Sequence, residues 1–300
     1  PLTKDLLKKL SKECKTLAAT NLPLMNFPWD LVNHNSTRLK KDYAEVGKLE
    51  SEGMIDEKAL VYGDKRNVYI GKGAHVEAFA LLDAREGPVF VGNETVIHSG
   101  SRITGPSYIG DKTIIASGLI REGCSIGPVC RVGGELEETI IQGYSNKYHT
   151  GFIGHAYIGE WVNLGAATTN SDLKNTYGNV KVQIEKKRVD TKSMKIGCFI
   201  GDHVKTSIGT QIYTGKKIGV AAHVHGFVTE DVPSFTIWAE SLGAKNVELS
   251  LQSAIETQKR AFSRRGVKQT SEDIKLLQTL FKITAKERKE ASVRKGKFKF

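Results

Sequence analysis

A short polar run near the middle of the chain ends in a side chain that is well suited to proton transfer. The run covers residues 144–149 and ends at His149, and a second histidine, His155, follows six positions later. An imidazole titrates near neutral pH, so it can accept a proton from a reacting group or bind zinc. A zinc site needs three such ligands, and His98 is the third candidate. The alternative for His149 is a solvated histidine in a surface loop.

The residues on both sides of this run repeat with a period of six. A helix would show a period near 3.6 and a single strand a period of 2, so neither explains the pattern alone. A parallel β-helix explains it, because each six-residue unit directs one aliphatic side chain at a common axis. Four registers carry the repeat: Ile70, Val76 and Leu82; Val91, Ile97, Ile103, Ile109 and Ile115; Ile120, Ile126 and Val132; and Ile200, Thr206, Ile212, Ile218 and Val224.

Small residues support the β-helix interpretation. Glycine often follows the repeating aliphatic, as in Ile109-Gly110, and tolerates the positive φ of a sharp corner. Thr113 and Cys124 are examples of the small residues that stand two positions before the aliphatic, where a narrow interior has little room. The sequence therefore predicts a mainly β fold with a solenoid of hexapeptide repeats at its centre.

Helices and interruptions complete the predicted organisation. Apolar spacing predicts helices over 4–18, from near Pro28 toward Tyr43, over 245–263 and over 271–290, with 294–300 frayed. The repeat is interrupted at 82–89, 133–153 and 165–195, and alternation within the last segment predicts a β-hairpin. We expect three units: a helical segment and linker at 1–55, a β-helix domain at 56–233 with the inserted loop and hairpin 165–195, and C-terminal helices at 234–300.

Composition narrows the class of protein. The 300 residues include 30 glycines, 39% are hydrophobic, and no apolar run of about 18 residues is present, so we predict no membrane span. No signal peptide is visible and the four cysteines form no C-x-x-C pair, so we expect a reducing cytoplasm. Of the net charge of +11, most lies in residues 256–300, where 14 Lys and Arg face 5 Asp and Glu. A solvated helical face is the favoured explanation, and the lack of an aromatic platform argues against nucleic-acid binding.

The stretch 147–170, KYHTGFIGHAYIGEWVNLGAATTN, resembles a known enzyme family. It is similar to the acetyltransferase half of the bifunctional N-acetylglucosamine-1-phosphate uridyltransferase/glucosamine-1-phosphate acetyltransferase. It is closest to the sugar-1-phosphate nucleotidylyltransferase-like proteins that carry such a half. Residues 200–204 and 209–212 extend the resemblance, which covers about 60–232. It implies a left-handed β-helix that forms homotrimers, with active sites between neighbouring subunits.

The resemblance also implies roles for individual residues. His149 falls on the family's general base, which takes a proton as an amine attacks the acetyl-CoA thioester. The implied co-substrate is acetyl-CoA, the implied acceptor is an amino-sugar phosphate, and no metal is implied. The expected site residues are His149 and Asn170 for catalysis; Lys147, Phe152, Asn163, Arg121 and Arg131 for the acceptor; and Ser207, Ala221, Ala222, Lys216 and Lys217 for acetyl-CoA.

Three functions follow from these residues. The first is an acetyl-CoA-dependent N-acetyltransferase that acts on an amino-sugar phosphate in nucleotide-sugar biosynthesis. The second is a non-catalytic β-helix that trimerises or regulates a nucleotidylyltransferase, because Phe152 stands where the family has a tyrosine. The third is a zinc enzyme resembling the γ-class carbonic anhydrases, although the spacing of His149 and His155 places them on different faces of one coil.

The other half of the resembled family is expected outside this sequence. That half opens with a Gly-rich loop that cradles a triphosphate, and no such segment occurs here. Residues 1–50 resemble its last helices and connector. We therefore expect a nucleotidylyltransferase domain upstream in the natural protein.

Overall fold

The structure of the chain is a computed structural model that describes residues 4–14, 24–47 and 49–299. The α-helices of these residues are α1 (Lys4–Glu13), α2 (Pro28–Val46), α3 (Leu251–Ser263), α4 (Ser271–Ile283) and α5 (Ala285–Glu290). Single 3-10 turns occupy Lys65–Asn67 and Glu240–Leu242. No helix in the described ranges combines the length and the apolar character needed to cross a lipid bilayer.

Between α2 and α3 the chain runs through short strands. In chain order they are β1 (Met54–Ile55), β2 (Leu60–Tyr62), β3 (Val68–Ile70), β4 (His75–Val76), β5 (Leu81–Asp83), β6 (Val89–Val91), β7 (Val96–Ile97), β8 (Arg102–Thr104), β9 (Ser107–Ile109), β10 (Ile114–Ile115), β11 (Leu119–Ile120), β12 (Cys124–Ile126), β13 (Arg131–Val132), β14 (Glu135–Glu137), β15 (Ile140–Ile141), β16 (Asn146–Lys147), β17 (Phe152–Gly154), β18 (Tyr157–Ile158), β19 (Thr169–Asn170), β20 (Lys181–Ile184), β21 (Lys187–Asp190), β22 (Phe199–Ile200), β23 (Lys205–Thr206), β24 (Gln211–Ile212), β25 (Lys217–Ile218), β26 (His223–Val224), β27 (Phe227–Val228), β28 (Thr236–Trp238) and β29 (Val247–Glu248).

From β1 to β18, every third strand stacks in parallel on the one before, so the chain coils into a three-sided solenoid. The first face contains β1-β4-β7-β10-β13-β16 and continues through Asn163 into β23-β26-β28. The second face contains β2-β5-β8-β11-β14-β17, followed by β19-β24-β27. The third face contains β3-β6-β9-β12-β15-β18-β22-β25. The predicted fold class, a left-handed parallel β-helix of hexapeptide repeats with flanking helices, is confirmed.

Columns of aliphatic side chains fill the solenoid. On the first face Ile97 stacks on Ile115 and Ile115 on Val132, and all three are fully buried. Burial of one such side chain contributes roughly 1.5–3 kcal/mol, so the stacked column is the main source of cohesion between coils. The buried thiols Cys124 and Cys130 have a pKa raised to about 12, because burial disfavours the thiolate.

In the coils around the polar run, polar side chains take interior positions that aliphatic residues fill elsewhere. Lys147 pairs with Val132, and Asn170 pairs with Ile212, so both polar side chains occupy interior positions. The predicted interruption at 133–153 is wrong, because the segment forms the regular strands β14 to β17. Its coil is short, with Asn146 facing Arg131 after only fifteen residues, and the period of six is lost.

The predicted hairpin in the longest insertion is present. β20 and β21 pair antiparallel, with Val182 opposite Val189. Val180 and Val182 pack with Trp29 and Val32 of α2 and with Phe199 of the third face. The insertion therefore fixes the start of α2 against the solenoid.

The C-terminal helices differ in part from prediction. The helix predicted over 245–263 begins only at Leu251, because β29 first pairs antiparallel with β28. The helix predicted over 271–290 is divided at Thr284 into α4 and α5. Arg294, predicted to fray, forms a bridge with Val247. Of the helix predicted over 4–18, residues 15–18 lie outside the described residues.

The cap of α4 provides a test of this region. Thr270 accepts a hydrogen bond from the Asp273 backbone, and the Asp273 carboxylate accepts two from Thr270. Replacing Thr270 with alanine should therefore lower the free energy of unfolding by about 1 kcal/mol. Chemical denaturation measures the change. Ser271→Ala is the matched control, since the Ser271 hydroxyl bonds only the exposed Glu272 carboxylate; an equal loss in both variants would contradict the cap.

Candidate functional site

The corner after β16 carries the predicted general base. His149 and Tyr148 are both exposed there, and their rings meet edge to face at 5.5 Å between centroids. His149 lines a cavity of about 570 Å³ together with Arg131 and Asn163. Three of the predicted site residues are therefore gathered in one cavity, although they come from three successive coils.

Lys147 lies beneath this corner rather than in the cavity. Its side chain is 3% exposed, and its ammonium donates a 2.6 Å hydrogen bond to the carbonyl oxygen of His149. Burial lowers the pKa of Lys147 to about 8. Because its position in the strand points at the axis, Lys147 holds the main chain that carries His149. The structure therefore does not place it where it was expected, against a substrate phosphate.

Asn163 remains accessible. Its side-chain oxygen accepts a 3.0 Å hydrogen bond from the amide of Asn146, and both residues line the cavities beside the corner. The pair continues the first face across the insertion, because the main chain of Asn163 bridges β16 and β23. An amide held in this way is oriented before a ligand arrives.

Asn170 is turned inward and is 1% exposed. Its oxygen accepts from the Gly154 backbone at 2.8 Å, and its nitrogen donates to the carbonyl oxygens of Gly154 and Ser171 at 3.0 and 3.2 Å. The amide thus ties two coils together. This differs from the predicted catalytic role, since all of these contacts are with backbone.

Phe152 and Arg121 lie on the second face. The Phe152 ring covers Gly154, where an added Cβ would meet it at 2.3 Å. The Arg121 guanidinium pairs with the carboxylate of Glu137 at 2.8 Å and with that of Glu135 at 3.6 Å. Neither is among the residues that line the cavity of His149. The two predicted phosphate-binding arginines are therefore separated, and only Arg131 faces the general base.

The residues expected to bind acetyl-CoA are dispersed. Ser207 lies at the corner above Gly165, next to Ile208, which lines the cavity of His149. Lys216 and Lys217 lie on the third face, and the Lys217 ammonium pairs with Asp231 at 3.3 Å. Of Ser207, Lys216 and Lys217, only Ser207 lies near His149, the candidate general base.

Ala221 and Ala222 are covered. Ala221 packs with Phe235, Leu249 and residues of α3 and α4, and Ala222 is fully buried. The C-terminal helices occupy the surface along which the pantetheine was expected to run. The resemblance gave no information about these helices, and the contact of Ala221 and Ala222 with acetyl-CoA stays a prediction.

Two histidine–carboxylate pairs were not predicted. Nδ1 of His155 lies 2.8 Å from the carboxylate of Asp172, and Nδ1 of His98 lies 2.8 Å from that of Glu77. Burial raises the pKa of Asp172, but the hydrogen bond and charge of His155, together with the charge of Lys195, outweigh burial and leave this pKa below its usual value. The two histidine–carboxylate pairs lie at different corners of the solenoid. Within the described ranges, no group of three or more His, Cys, Asp or Glu side chains is arranged to hold a metal ion, so the three-histidine zinc site is not formed.

Arginines at and just beyond the end of α3 are the other residues that the sequence did not assign to the site. Arg264 and Arg265 line the cavity of His149, and with Arg260 they also line an adjoining cavity of about 270 Å³. The charge run of residues 256–300 favours a solvated helical face, and so gave these arginines no role in the site. The available signal was the i, i+4 spacing of Arg260 and Arg264 at the end of an amphipathic helix.

Parts of the chain are similar to known proteins. No family model matches the chain. Over 91 residues, 30% of the chain, it is 37% identical to a bifunctional sugar-1-phosphate nucleotidylyltransferase/acetyltransferase of Sulfurisphaera tokodaii, covering 23% of that protein. Over 126 residues, 41% of the chain, it is 32% identical to the bifunctional protein GlmU of Gloeobacter violaceus, covering 24% of it. The solved UDP-N-acetylglucosamine acyltransferase of Campylobacter jejuni aligns with 79% of this chain and 90% of its own, at 15% identity and a TM-score of 0.29.

The resemblance predicted from the sequence is confirmed. The chain spans about a quarter or less of the length of the curated relatives that it matches. The similarity therefore concerns one part of those proteins, and the activity of the whole proteins is considered below as a proposal.

Proposed function

We propose that the chain is an acyltransferase that transfers an acetyl group from acetyl-CoA to the amine of an amino-sugar phosphate, in the cytoplasm and as a step of nucleotide-sugar biosynthesis. The observation that carries the proposal is the exposed imidazole of His149 in a cavity shared with Asn163 and Arg131. The sequence similarity to bifunctional nucleotidylyltransferase/acetyltransferases supports the choice of reaction.

In this reaction the amine nitrogen of the acceptor attacks the thioester carbon of acetyl-CoA. A C–N bond forms, the C–S bond breaks and the thiolate of CoA leaves. The imidazole of His149 would take the proton that the nitrogen loses and pass it to the thiolate, so that CoA leaves as the free thiol. Backbone N–H groups of the loops at the corner would stabilise the transient oxyanion.

A homotrimer is part of the proposal. Tyr148, at 40% exposed, projects from the corner that carries His149, and Ile208, at 79% exposed, projects from the corner of a later coil that lines the same cavity. Large apolar side chains exposed beside a cavity favour a surface that a second subunit covers. Residues 1–55, 56–233 and 234–300 would then be connector, acyltransferase domain and C-terminal cover, with a nucleotidylyltransferase domain upstream in the natural protein.

Thiol release tests the reaction. Acetyl-CoA and a panel of amino-sugar phosphates are incubated with the full chain, and free CoA is measured with a thiol reagent. We expect release with an acceptor that carries both the amine and the phosphate, and background release with the matched sugar phosphate that has a hydroxyl in place of the amine. Background release with every acceptor would contradict the proposed reaction.

A non-catalytic β-helix is the second candidate. It is favoured by the inward positions of Lys147 and Asn170, two polar residues that the resemblance places in the acyltransferase site. Isothermal titration with acetyl-CoA distinguishes the candidates, because a structural solenoid needs no affinity for a thioester. Binding in the micromolar to millimolar range typical of enzyme substrates supports catalysis, whereas absence of binding supports the structural role.

A further inference from the structure

The end of α3 forms one wall of the two cavities beside His149, and that wall is strongly basic. Arg264 and Arg265 line both cavities, Arg260 lines the smaller one, and Arg131 faces them from the solenoid. Four guanidinium groups therefore surround a connected space that also contains Asn163. In the part of the chain that the structure describes, no carboxylate forms an ion pair with any of the four.

Concentrating positive charges without a counter-ion is unfavourable. Like charges within a few ångströms repel one another, and removal of water strengthens the repulsion. Arg265 is affected in this way: burial and the charges of Arg131 and Arg264 lower its pKa, and its Nε atom is buried without a hydrogen-bond partner. A multiply charged anion in the cavity would relieve the repulsion between these arginines.

The helix end is held firmly enough to act as a binding wall. Trp161 of the solenoid is stacked between Tyr144 at 4.3 Å and Phe262 of α3 at 4.2 Å, measured between ring centroids. Phe262 is buried and lies two residues before Arg264. On the opposite side, the Arg131 guanidinium donates hydrogen bonds to the carbonyl oxygens of Lys112 and Cys130 at 3.0 and 2.9 Å. The arginines are thus pre-positioned by packing.

An ordinary explanation exists for arginines at the end of a helix. Cations there interact favourably with the helix dipole and are often solvated. Lys259 on the same helix fits that description, since it is exposed and is not among the residues that line either cavity. The arginines differ from Lys259 in facing the cavities of the candidate site, and guanidinium groups bind phosphate oxygens in bidentate geometry.

We propose that Arg260 of α3 and Arg264 and Arg265, which directly follow this helix, together with Arg131, form a binding subsite for a phosphate monoester group of a ligand that occupies the cavity of His149. The proposal rests on the proposed function in that the ligand is one of the two reactants. The phosphate monoester belongs either to the acceptor sugar or to the 3′-phosphate of coenzyme A. The positions of the two cavities fit either source.

Binding measurements separate the sources. Isothermal titration compares glucosamine-1-phosphate with glucosamine, and coenzyme A with dephospho-coenzyme A, on the full chain at constant ionic strength. For wild type we expect tighter binding of the phosphorylated member of one pair. Arg264→Gln/Arg265→Gln should weaken that member about 10- to 100-fold, since a hydrogen bond to a charged group is worth roughly one to two decades in affinity. The affinity of the double variant for the unphosphorylated member of that pair should equal the affinity of wild type.

Control variants keep the result interpretable. Lys259→Gln removes one positive charge from the same helix and should bind both ligand pairs as wild type does. Arg264→Gln alone, at an exposed position, tests the subsite if the double variant has a lowered melting temperature. The proposal is overturned if neither phosphorylated ligand binds wild type, if the arginine variants bind like Lys259→Gln, or if they weaken the unphosphorylated ligand equally. Intact phosphate binding without thiol release would instead contradict only the proposed reaction.

Discussion

Replacement of His149 by alanine is expected to reduce kcat/KM for acetyl transfer by about 10²- to 10⁴-fold, the usual contribution of a positioned general base. The imidazole is the proton acceptor of the proposed reaction, and an alanine leaves no acceptor at that point of the cavity. Because His149 is exposed, its removal should leave the free energy of unfolding nearly unchanged. Thiol-release kinetics and chemical denaturation measure the two quantities.

Two further histidine variants show whether the loss of activity is specific to His149. His34→Ala changes an exposed histidine on α2 and should leave both quantities as in wild type. His155→Ala removes the one competing imidazole of the 147–170 stretch, which is paired with Asp172. If His155→Ala abolished transfer and His149→Ala did not, the general base would be the His155–Asp172 pair, and the assignment of His149 would be wrong.

The solenoid could be predicted because its cause, a regular spacing of aliphatic residues, is visible in the sequence. One aliphatic side chain per strand must reach the axis, so a period of six appears wherever each side of the coil has six residues. Where a coil is shorter, as between Arg131 and Asn146, the period vanishes although the strands remain. Lys147 then replaces the aliphatic residue itself. The shorter coil and the interior lysine together make the sequence of a regular coil resemble that of a loop.

The candidate site could be predicted only in part. His149 and Asn163 follow from the motif, but whether a polar side chain points outward or inward depends on its register in a strand. A shift of one residue exchanges the two directions. Asn170 points inward because it stands opposite the interior residue Ile212 in the ladder. The arginines at and just beyond the end of α3 lie more than a hundred residues after His149 in the chain. Only tertiary packing, through contacts such as Trp161 on Phe262, brings them to the cavity.

Replacement of Lys147 by methionine is expected to stabilise the fold at pH 7 by about 1–3 kcal/mol while reducing acetyl transfer about tenfold. The ammonium is buried with one hydrogen-bond partner, the carbonyl oxygen of His149, and its pKa is lowered from 10.5 to about 8. A lowering of this size corresponds to about 3 kcal/mol of unfavourable burial of the charge, from which about 1 kcal/mol of lost hydrogen bonding is subtracted. Methionine has a similar length and fills the interior without charge. The loss of activity follows because the main chain of His149 is no longer held, and small displacements of a catalytic group are costly.

The pH dependence identifies the cause of the stabilisation. Above pH 8 the native protein releases the proton of Lys147, whereas the unfolded chain retains it until about pH 10.5. At Lys147 the unfolded state then binds more protons, so this group by itself makes wild-type stability rise between pH 8 and 10.5. Burial lowers the pKa of Lys205 to about 8 as well, and this side chain remains in the variant. The buried thiols of Cys124, Cys130 and Cys198, with pKa values raised to about 12, act with the opposite sign, because the unfolded chain releases their protons first. Since Lys205 and the thiols are common to both proteins, the stability advantage of Lys147→Met over wild type should decline between pH 8 and 10.5, as measured by denaturant unfolding at several pH values.

Lys112→Met provides the matched control, since Lys112 is exposed and its loss should change neither stability nor activity appreciably. The decisive feature is the opposite sign of the two effects in Lys147→Met. A variant that damaged the fold would lose stability and activity together, and a phosphate-binding lysine would lose affinity for the acceptor without any gain in stability. If Lys147→Met were destabilised at pH 7 by 2 kcal/mol or more, the hydrogen bond to His149 would outweigh the cost of the buried charge. Lys147 would then be a support of the coil itself, selected for stability and only incidentally placed beneath the candidate base.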